Sequence, residues 1–276
     1  MYSRVYVEIT NVCNMSCSFC HGHTRTPSFI SERDFLRVLD ELEEKTRYLY
    51  YHLMGEPLLH PDLPHFLSLA ASRGFRSVIT TNGTMLDVRG EELLNGGIYK
   101  VNVSVHSLED ECVETRERYL RSVLSFADRA SRAGVIVVLR LWNRGFDGGL
   151  NDFVFQSLKQ RFFDGEWAEN TRGIRIRDKL HIEWGERFVW PDKDAPVQGE
   201  SVFCYGLSDH FGILCDGTVV PCCMDSDGVI NLGNVFKTSL EEILSSKRAR
   251  AICEGFLKKR GTEELCRRCA YAQRFS

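Results

Sequence analysis

The run Cys13-Asn14-Met15-Ser16-Cys17-Ser18-Phe19-Cys20 sets three cysteines apart by three and then two intervening residues. Thiolates this close in the chain can all turn to one inorganic centre, and three is one fewer than a [4Fe–4S] cluster takes from a protein. One iron is then left open to a further ligand. Zinc is the alternative chemistry for clustered thiols. Seven of the eleven cysteines follow residue 200, and the last two form Cys266-x2-Cys269. Sulfur ligation is therefore expected at both ends of the chain.

The composition leaves room for this chemistry in an ordinary globular protein. The chain has 276 residues, 43% of them hydrophobic and 26% charged, enough for a full core and an appended module. A net charge of −3 gives no global pull toward nucleic acid or a membrane surface. No apolar run approaches the roughly 18 residues of a spanning helix, and no charged-then-apolar leader opens the chain. A cytoplasmic location is expected, where thiols stay reduced and eleven cysteines argue for ligation over disulfides.

The elements that must position the cysteines follow from apolar periodicity. Residues 4–10 read as a short buried strand feeding the first cysteine loop. Ser31 with Asp34 caps an amphipathic helix running to about Lys45. Strands are expected at Tyr48–Leu53, Arg76–Thr80, Lys100–Val105, Val135–Leu141 and Ile174–Arg177. Helices are expected at Leu63–Ser72, near Glu91–Leu94, at about Glu111–Ala133 and at Asn151–Phe162. Alternating strands and helices predict parallel βα units, about six by residue 180, too few for a closed eightfold barrel. The expected fold class is α/β: a partial, open (β/α)6 TIM-like barrel over residues 1–180, a connecting segment at 181–201, and a small β-hairpin plus helix module at 202–276.

In such a barrel the chemistry sits at the C-terminal strand ends. Gly55-Glu56-Pro57 follows the second strand, Asn82 the third, Ser104 and His106 close the fourth, and Arg140 lies at the end of the fifth. Alone, a Gly-Glu-Pro is an ordinary turn and a strand serine an ordinary satisfied hydroxyl; their order behind the cysteines gives them weight. Trp184, Phe188 and Trp190 suit a substrate wall or simple packing. Arg172, Arg175, Arg177 and Lys179 read as a solvated strand face, or as charge for an anionic substrate.

With C-x3-C-x2-C and the aromatic Phe19 before its last cysteine, the chain resembles the radical S-adenosylmethionine (radical SAM) superfamily. The resemblance implies that Cys13, Cys17 and Cys20 hold a [4Fe–4S] cluster whose open iron chelates S-adenosylmethionine and reduces its sulfonium. It implies that Gly55-Glu56-Pro57 seats the methionine amino group, Ser104 meets the ribose or carboxylate, Phe19 packs by the adenine, and Asn82 belongs to the same cofactor-facing set. The hairpin Phe211–Cys215 with Thr218–Pro221, a helix from Ser239 and the terminal C-x2-C resemble the twitch module, the single-cluster short form of the SPASM domain. On that resemblance Cys204, Cys222, Cys266 and Cys269 hold an auxiliary [4Fe–4S] cluster with every iron ligated. Spacing does not separate Cys222 from Cys223, with Cys222 preferred, and zinc on the same four thiolates is the alternative. Cys112, Cys215, Cys223 and Cys253 stay unassigned.

The expected reaction is hydrogen abstraction by a 5′-deoxyadenosyl radical and oxidation of the substrate radical through the auxiliary cluster, as in twitch-domain dehydrogenases of aminocyclitol alcohols. Arg140 and His106 are the candidate catalytic partners of the substrate. An epimerase with a cysteine hydrogen donor is one alternative, and modification of a peptide or RNA is another. The implied partners are a small-molecule or peptide substrate and a flavodoxin- or ferredoxin-type reductant. Nucleic acid is not favoured and no membrane partner is expected.

Overall fold

The computed structural model describes residues 1–109, 111–199 and 201–275, with Gln273 in its backbone alone. The chain opens with strand β1 (Arg4–Val7), helix α1 (Glu32–Leu42) and strand β2 (Tyr48–Tyr51). Helix α2 (Leu63–Ser72), strand β3 (Arg76–Thr81), helix α3 (Leu86–Asn95), strand β4 (Lys100–Ser104), helix α4 (Val113–Arg132), strand β5 (Ile136–Arg144) and helix α5 (Leu150–Arg161) then alternate. Strands β6 (Ala168–Asn170) and β7 (Gly173–Arg177) lead into β8 (Leu180–Glu186), and β9 (His210–Ile213) is followed by β10 (Val219–Val220). Helices α6 (Leu240–Leu244), α7 (Lys247–Leu257) and α8 (Glu264–Arg267) come last.

Local chemistry explains these boundaries. The Ser31 hydroxyl accepts from the Asp34 N–H and caps α1. Phe35, Val38, Leu39 and Leu42 then fall on one fully buried stripe, the spacing a 3.6-residue period demands. Ser239 and Ser246 cap α6 and α7 in the same way, accepting from the Glu242 and Ala249 N–H groups. In the strands, alternate residues Val5, Val7, Leu49 and Tyr51 have no exposed surface. Among the described residues, no helix is long and apolar enough to cross a membrane.

The fold class is the expected α/β, with a partial, unclosed (β/α)6 barrel. Strand β1 is parallel to β2, β3 to β4, β4 to β5, and β5 to β8. The sixth parallel strand, however, is β8 and not the segment 174–177 expected from the sequence. That segment is β7, antiparallel to both β6 and β8. The reversal between β7 and β8 occurs at Asp178-Lys179 with Lys179 in the left-handed region, φ 61°, and so lacks the glycine that usually announces such a turn. The expected connecting segment from residue 181 therefore begins inside a barrel strand.

The chain divides into two compact units, and their limits differ from the boundaries read in sequence. One unit comprises residues 1–13, 21–55 and 188–276, and the other residues 14–20 and 56–187. In the first, β9 pairs in parallel with β1, with Arg4 opposite His210 and Val7 opposite Ile213, and β10 pairs antiparallel to β9. The C-terminal hairpin thus extends the sheet of the N-terminal strand, a pairing too distant in sequence to leave a local signal. In the second unit α3 and α4 pack closely, since a Cβ on Gly90 would stand 2.7 Å from the Phe126 ring.

Asp128 on α4 gathers Arg132 and Arg161 as well as Arg177 of β7. Burial works against its ionisation, but bonds from Arg177 and Arg132 prevail and hold the carboxyl down to about 2. A depressed carboxylate stabilises above its unfolded pKa of 3.8, and that stability is lost as pH falls through about 2. Asp128→Asn is expected to cost about 1–2 kcal/mol at neutral pH, after discounting the shift for solvent screening. Urea melts should show that deficit shrinking as the wild type is acidified through this window.

Candidate functional site

In the first unit the loop after β2 is built around Gly55. Its φ is +77°, and a Cβ there would lie 2.4 Å from the Thr10 carbonyl oxygen and 2.8 Å from the Asn11 carbonyl carbon. Only glycine meets both demands. The glycine therefore admits the chain's own backbone, at the segment leading to Cys13. Asn11 stiffens that segment, donating through Nδ2 to the Thr26 carbonyl at 2.9 Å and accepting at Oδ1 from the Ser28 N–H at 2.7 Å.

The same unit brings Cys204, Cys222, Cys266 and Cys269 to one cavity, otherwise lined mainly by apolar side chains such as Val202, Pro221, Ile230, Phe256 and Leu265. Asp225 also lines it, with its carboxylate accepting from the Val229 and Ile230 N–H groups at 2.8 Å each. Burial raises all four thiol pKa values. Mutual repulsion adds to the rise, Cys204 and Cys266 acting on Cys222, and Cys204 and Cys269 acting on Cys266. Four such groups are costly as thiolates unless a cationic centre compensates them, and this donor set suits an iron–sulfur cluster. A backbone N–H from Gly206 already points at Cys204 Sγ, 3.4 Å away.

Cys223 is close enough to act electrostatically on Cys222 and Cys269, but it does not line this cavity. It packs against the cluster of Tyr6, Leu53, Leu214 and Val220 and hydrogen-bonds with Tyr6. Arg4, Tyr50, His52 and His210 surround the same Tyr6 ring. Cys222→Ala is accordingly expected to lower the iron of the reconstituted protein from about eight to about four atoms per chain, and Cys223→Ala to leave it near eight. Iron and sulfide analysis of the two variants checks this.

In the second unit the cysteine segment 14–20 is pinned by polar contacts. Asn82 Nδ2 donates to Asn14 Oδ1 at 2.9 Å, and Asn14 Nδ2 donates to Thr84 Oγ1 at 2.8 Å. Ser18 donates to Glu109, which also pairs with Arg187. Cys20 N–H donates to the Cys17 carbonyl at 3.0 Å. Cys17 is half-buried and Cys20 exposed; Cys13, in the other unit's segment, is exposed too. Within the second unit, Cys17 and Cys20 thus present accessible thiols on a loop held by polar contacts.

Glu56 is buried, and both its oxygens are engaged: Oε1 accepts from the Leu58 N–H and Thr81 Oγ1, and Oε2 from the Asn82 N–H. Burial raises its pKa to about 6 against the pull of these donors. The carboxylate thus builds the turn from within and ties Pro57 to the end of β3. Asn82 likewise spends its side chain on Asn14 and Thr84.

Ser104, His106 and Arg140 do converge. Ser104 ends β4 in register with Arg140 on β5. His106 Nδ1 lies 3.1 Å from the Arg140 carbonyl and donates to it. Burial pushes the His106 pKa down to about 4, so the ring is neutral at physiological pH. Phe19 packs on this imidazole at 4.7 Å between ring centroids. The Arg140 guanidinium lies 4.7 Å from the Trp142 ring centroid, and its Nε lies 3.5 Å from a Glu183 oxygen. In the basic strand, Arg175 pairs with Glu166 and Arg177 with Asp128, which makes it a neutralised face.

Residues 7–143 match the model of the radical SAM superfamily, and residues 204–270 match that of the SPASM iron–sulfur cluster-binding domain. A probable GTP 3′,8-cyclase of Methanothermobacter marburgensis is 35% identical over 97% of this chain and 95% of its own length. This chain belongs to the radical SAM superfamily. It is a radical SAM enzyme with a C-terminal SPASM-type module, and it uses S-adenosylmethionine, a SAM-binding [4Fe–4S] cluster and an auxiliary cluster. Among solved structures, BtrN in complex with AdoMet and 2-DOIA has a TM-score of 0.60 at 16% identity, covering 98% of this chain and 93% of its own. SuiB of Streptococcus suis bound to the precursor peptide SuiA has a TM-score of 0.58 at 14% identity, covering 99% and 72%.

Three residues of this radical SAM chain escaped sequence reasoning. Glu8 is fully buried and pairs with Arg25 at 2.6 Å. A carboxylate interrupting the apolar run Val5–Ile9 was the available sign for Glu8, whereas nothing local marks Arg25. Glu183 is the third, on β8, whose outer half is only partly buried and carries no clear apolar period.

Proposed function

We propose that this radical SAM enzyme is a dehydrogenase-type oxidase of a small molecule, using its auxiliary cluster as an electron acceptor. The observation that carries the reading is the cavity holding Cys204, Cys222, Cys266 and Cys269 together. Four thiolates satisfy four irons, which leaves the auxiliary cluster no site for substrate and suits it to outer-sphere electron transfer. When bound, the first cluster supplies the electron that cleaves S-adenosylmethionine to methionine and a 5′-deoxyadenosyl radical, and the second takes up the electron left on the substrate radical. Gly55 and its flanking carbonyls seat the methionine amino group, while Cys13, Cys17 and Cys20 present the open iron. Arg140 orients the substrate hydroxyl, and neutral His106 accepts its proton. A cytoplasmic setting with a flavodoxin- or ferredoxin-type reductant belongs to the same reading.

A second reading is favoured by the curated relatives, which are named GTP 3′,8-cyclases. A triphosphate asks for cations free to meet it. Here, within the second unit, Arg140 faces Glu183 and Arg187 faces Glu109. A triphosphate would have to compete with Glu183 for Arg140 and with Glu109 for Arg187, whereas a neutral hydroxyl could be met with those pairs kept.

Reduced enzyme would be incubated anaerobically with S-adenosylmethionine and either GTP or the small-molecule fraction of a cell extract. A product lighter than its substrate by two hydrogens, formed with 5′-deoxyadenosine, supports the oxidase. An isomer of GTP retaining its mass would replace that reading with cyclisation, and stimulation only by the macromolecular fraction would replace it with peptide or RNA modification.

A further inference from the structure

Glu8 and Arg25 flank the segment Cys13–Cys20 in the chain and meet as a buried, two-pronged ion pair in the first unit. Arg25 Nη2 donates to Glu8 Oε1 at 2.6 Å, and Nη1 donates to Oε2 at 2.8 Å. Each carboxylate oxygen accepts one further bond. Oε1 takes the Met54 N–H at 3.2 Å, immediately before Gly55, and Oε2 takes the Cys215 N–H at 3.1 Å, in the hairpin of the auxiliary module. The remaining guanidinium arm, Nε, donates to the Ser226 carbonyl at 2.8 Å, in the loop that follows Cys222. Thr24 reinforces that attachment, donating from its N–H and hydroxyl to Asp227.

We propose that Arg25 is a positioning residue: acting through Glu8, it fixes the Gly55 loop to the auxiliary module and thereby sets the seat of the S-adenosylmethionine amino group. This rests on the reading of the Gly55 loop as that seat. With Glu8 fully buried and Arg25 partly so, the ion pair gives back much of its attraction as desolvation, and the register it imposes accounts for it better than stability does. One carboxylate orients two backbone N–H groups from distant parts of the chain, and one planar guanidinium orients the carboxylate. Lysine can carry the charge but not the fork, and so cannot hold both Glu8 oxygens and the Ser226 carbonyl at once.

Arg25→Lys and Glu8→Gln, reconstituted with both clusters, test the claim through three readouts. Iron content should match the wild type. Hydrogen exchange at the Met54 and Cys215 amides should quicken at least ~10-fold, since those protons lose an oriented acceptor. Half-saturation by S-adenosylmethionine, read as 5′-deoxyadenosine formed without substrate, should rise at least ~10-fold while the limiting rate stays within about twofold. Unchanged exchange at both amides would overturn the tether, and faster exchange with unchanged half-saturation would overturn its positioning role. Gly55→Ala, measured alongside, separates the premise: if that variant keeps wild-type half-saturation, the Gly55 loop is not the seat and the inference about Arg25 falls with it.

Discussion

Cys17→Ala is expected to abolish 5′-deoxyadenosine formation, a loss of at least ~10³-fold, because the cofactor carries the difficult chemistry. Two thiols cannot hold a cluster with one open iron, so iron should fall from about eight to about four atoms per chain as the auxiliary cluster remains. The half-buried Cys17 thiol lies 3.9 Å from the Ser107 carbonyl at the end of the barrel sheet. Cys112, exposed and in contact with Thr115, is the control; its alanine variant should keep activity within about twofold. Cleavage surviving in Cys17→Ala would remove the assignment of the first cluster.

Gly55→Ala should have the next largest effect. Alanine in the left-handed region costs roughly 1–2 kcal/mol, and here its Cβ would also overlap the Thr10 carbonyl oxygen at 2.4 Å. The loop has to shift away from the segment that leads to Cys13. Half-saturation by S-adenosylmethionine is expected to rise at least ~10-fold while iron content holds. Gly74 isolates the conformational cost, since its φ is +81° with nothing within 4 Å of a built Cβ. Gly74→Ala should lower the melting temperature yet leave half-saturation alone; equal losses of cofactor affinity in both variants would refute the close-approach argument.

Much of the barrel could be read from the chain because its signals are local. Ser31 and Asp34 mark the start of α1, and Leu63–Ser72 was expected with the bounds α2 takes. The alternation of β3, β4 and β5 with helices is carried by apolar period alone. What escaped was non-local or unmarked. The β7–β8 reversal turns on a left-handed lysine, and the pairing of β9 with β1 joins residues some two hundred positions apart. At the site, cysteine spacing pointed to the sulfur chemistry, but spacing could not show that Glu56 and Asn82 spend their side chains within the protein. Nor could it show that a buried carboxylate at Glu8 answers to Arg25, since an ion pair between loops has no periodicity. Cys222 and Cys223 are adjacent in the chain yet have different surroundings, Cys222 lining the cavity and Cys223 packing by Tyr6, which spacing alone could not show.

An auxiliary cluster saturated by four cysteines would be closed to substrate. Electron paramagnetic resonance of the reduced Cys13→Ala/Cys17→Ala/Cys20→Ala protein, recorded with and without GTP or S-adenosylmethionine, tests this. About four irons per chain are expected, with a signal that neither compound alters. A spectrum shifted by GTP would reveal an open iron on the auxiliary cluster, contradict the four-cysteine assignment, and move the enzyme toward the cyclase chemistry for which its relatives are named.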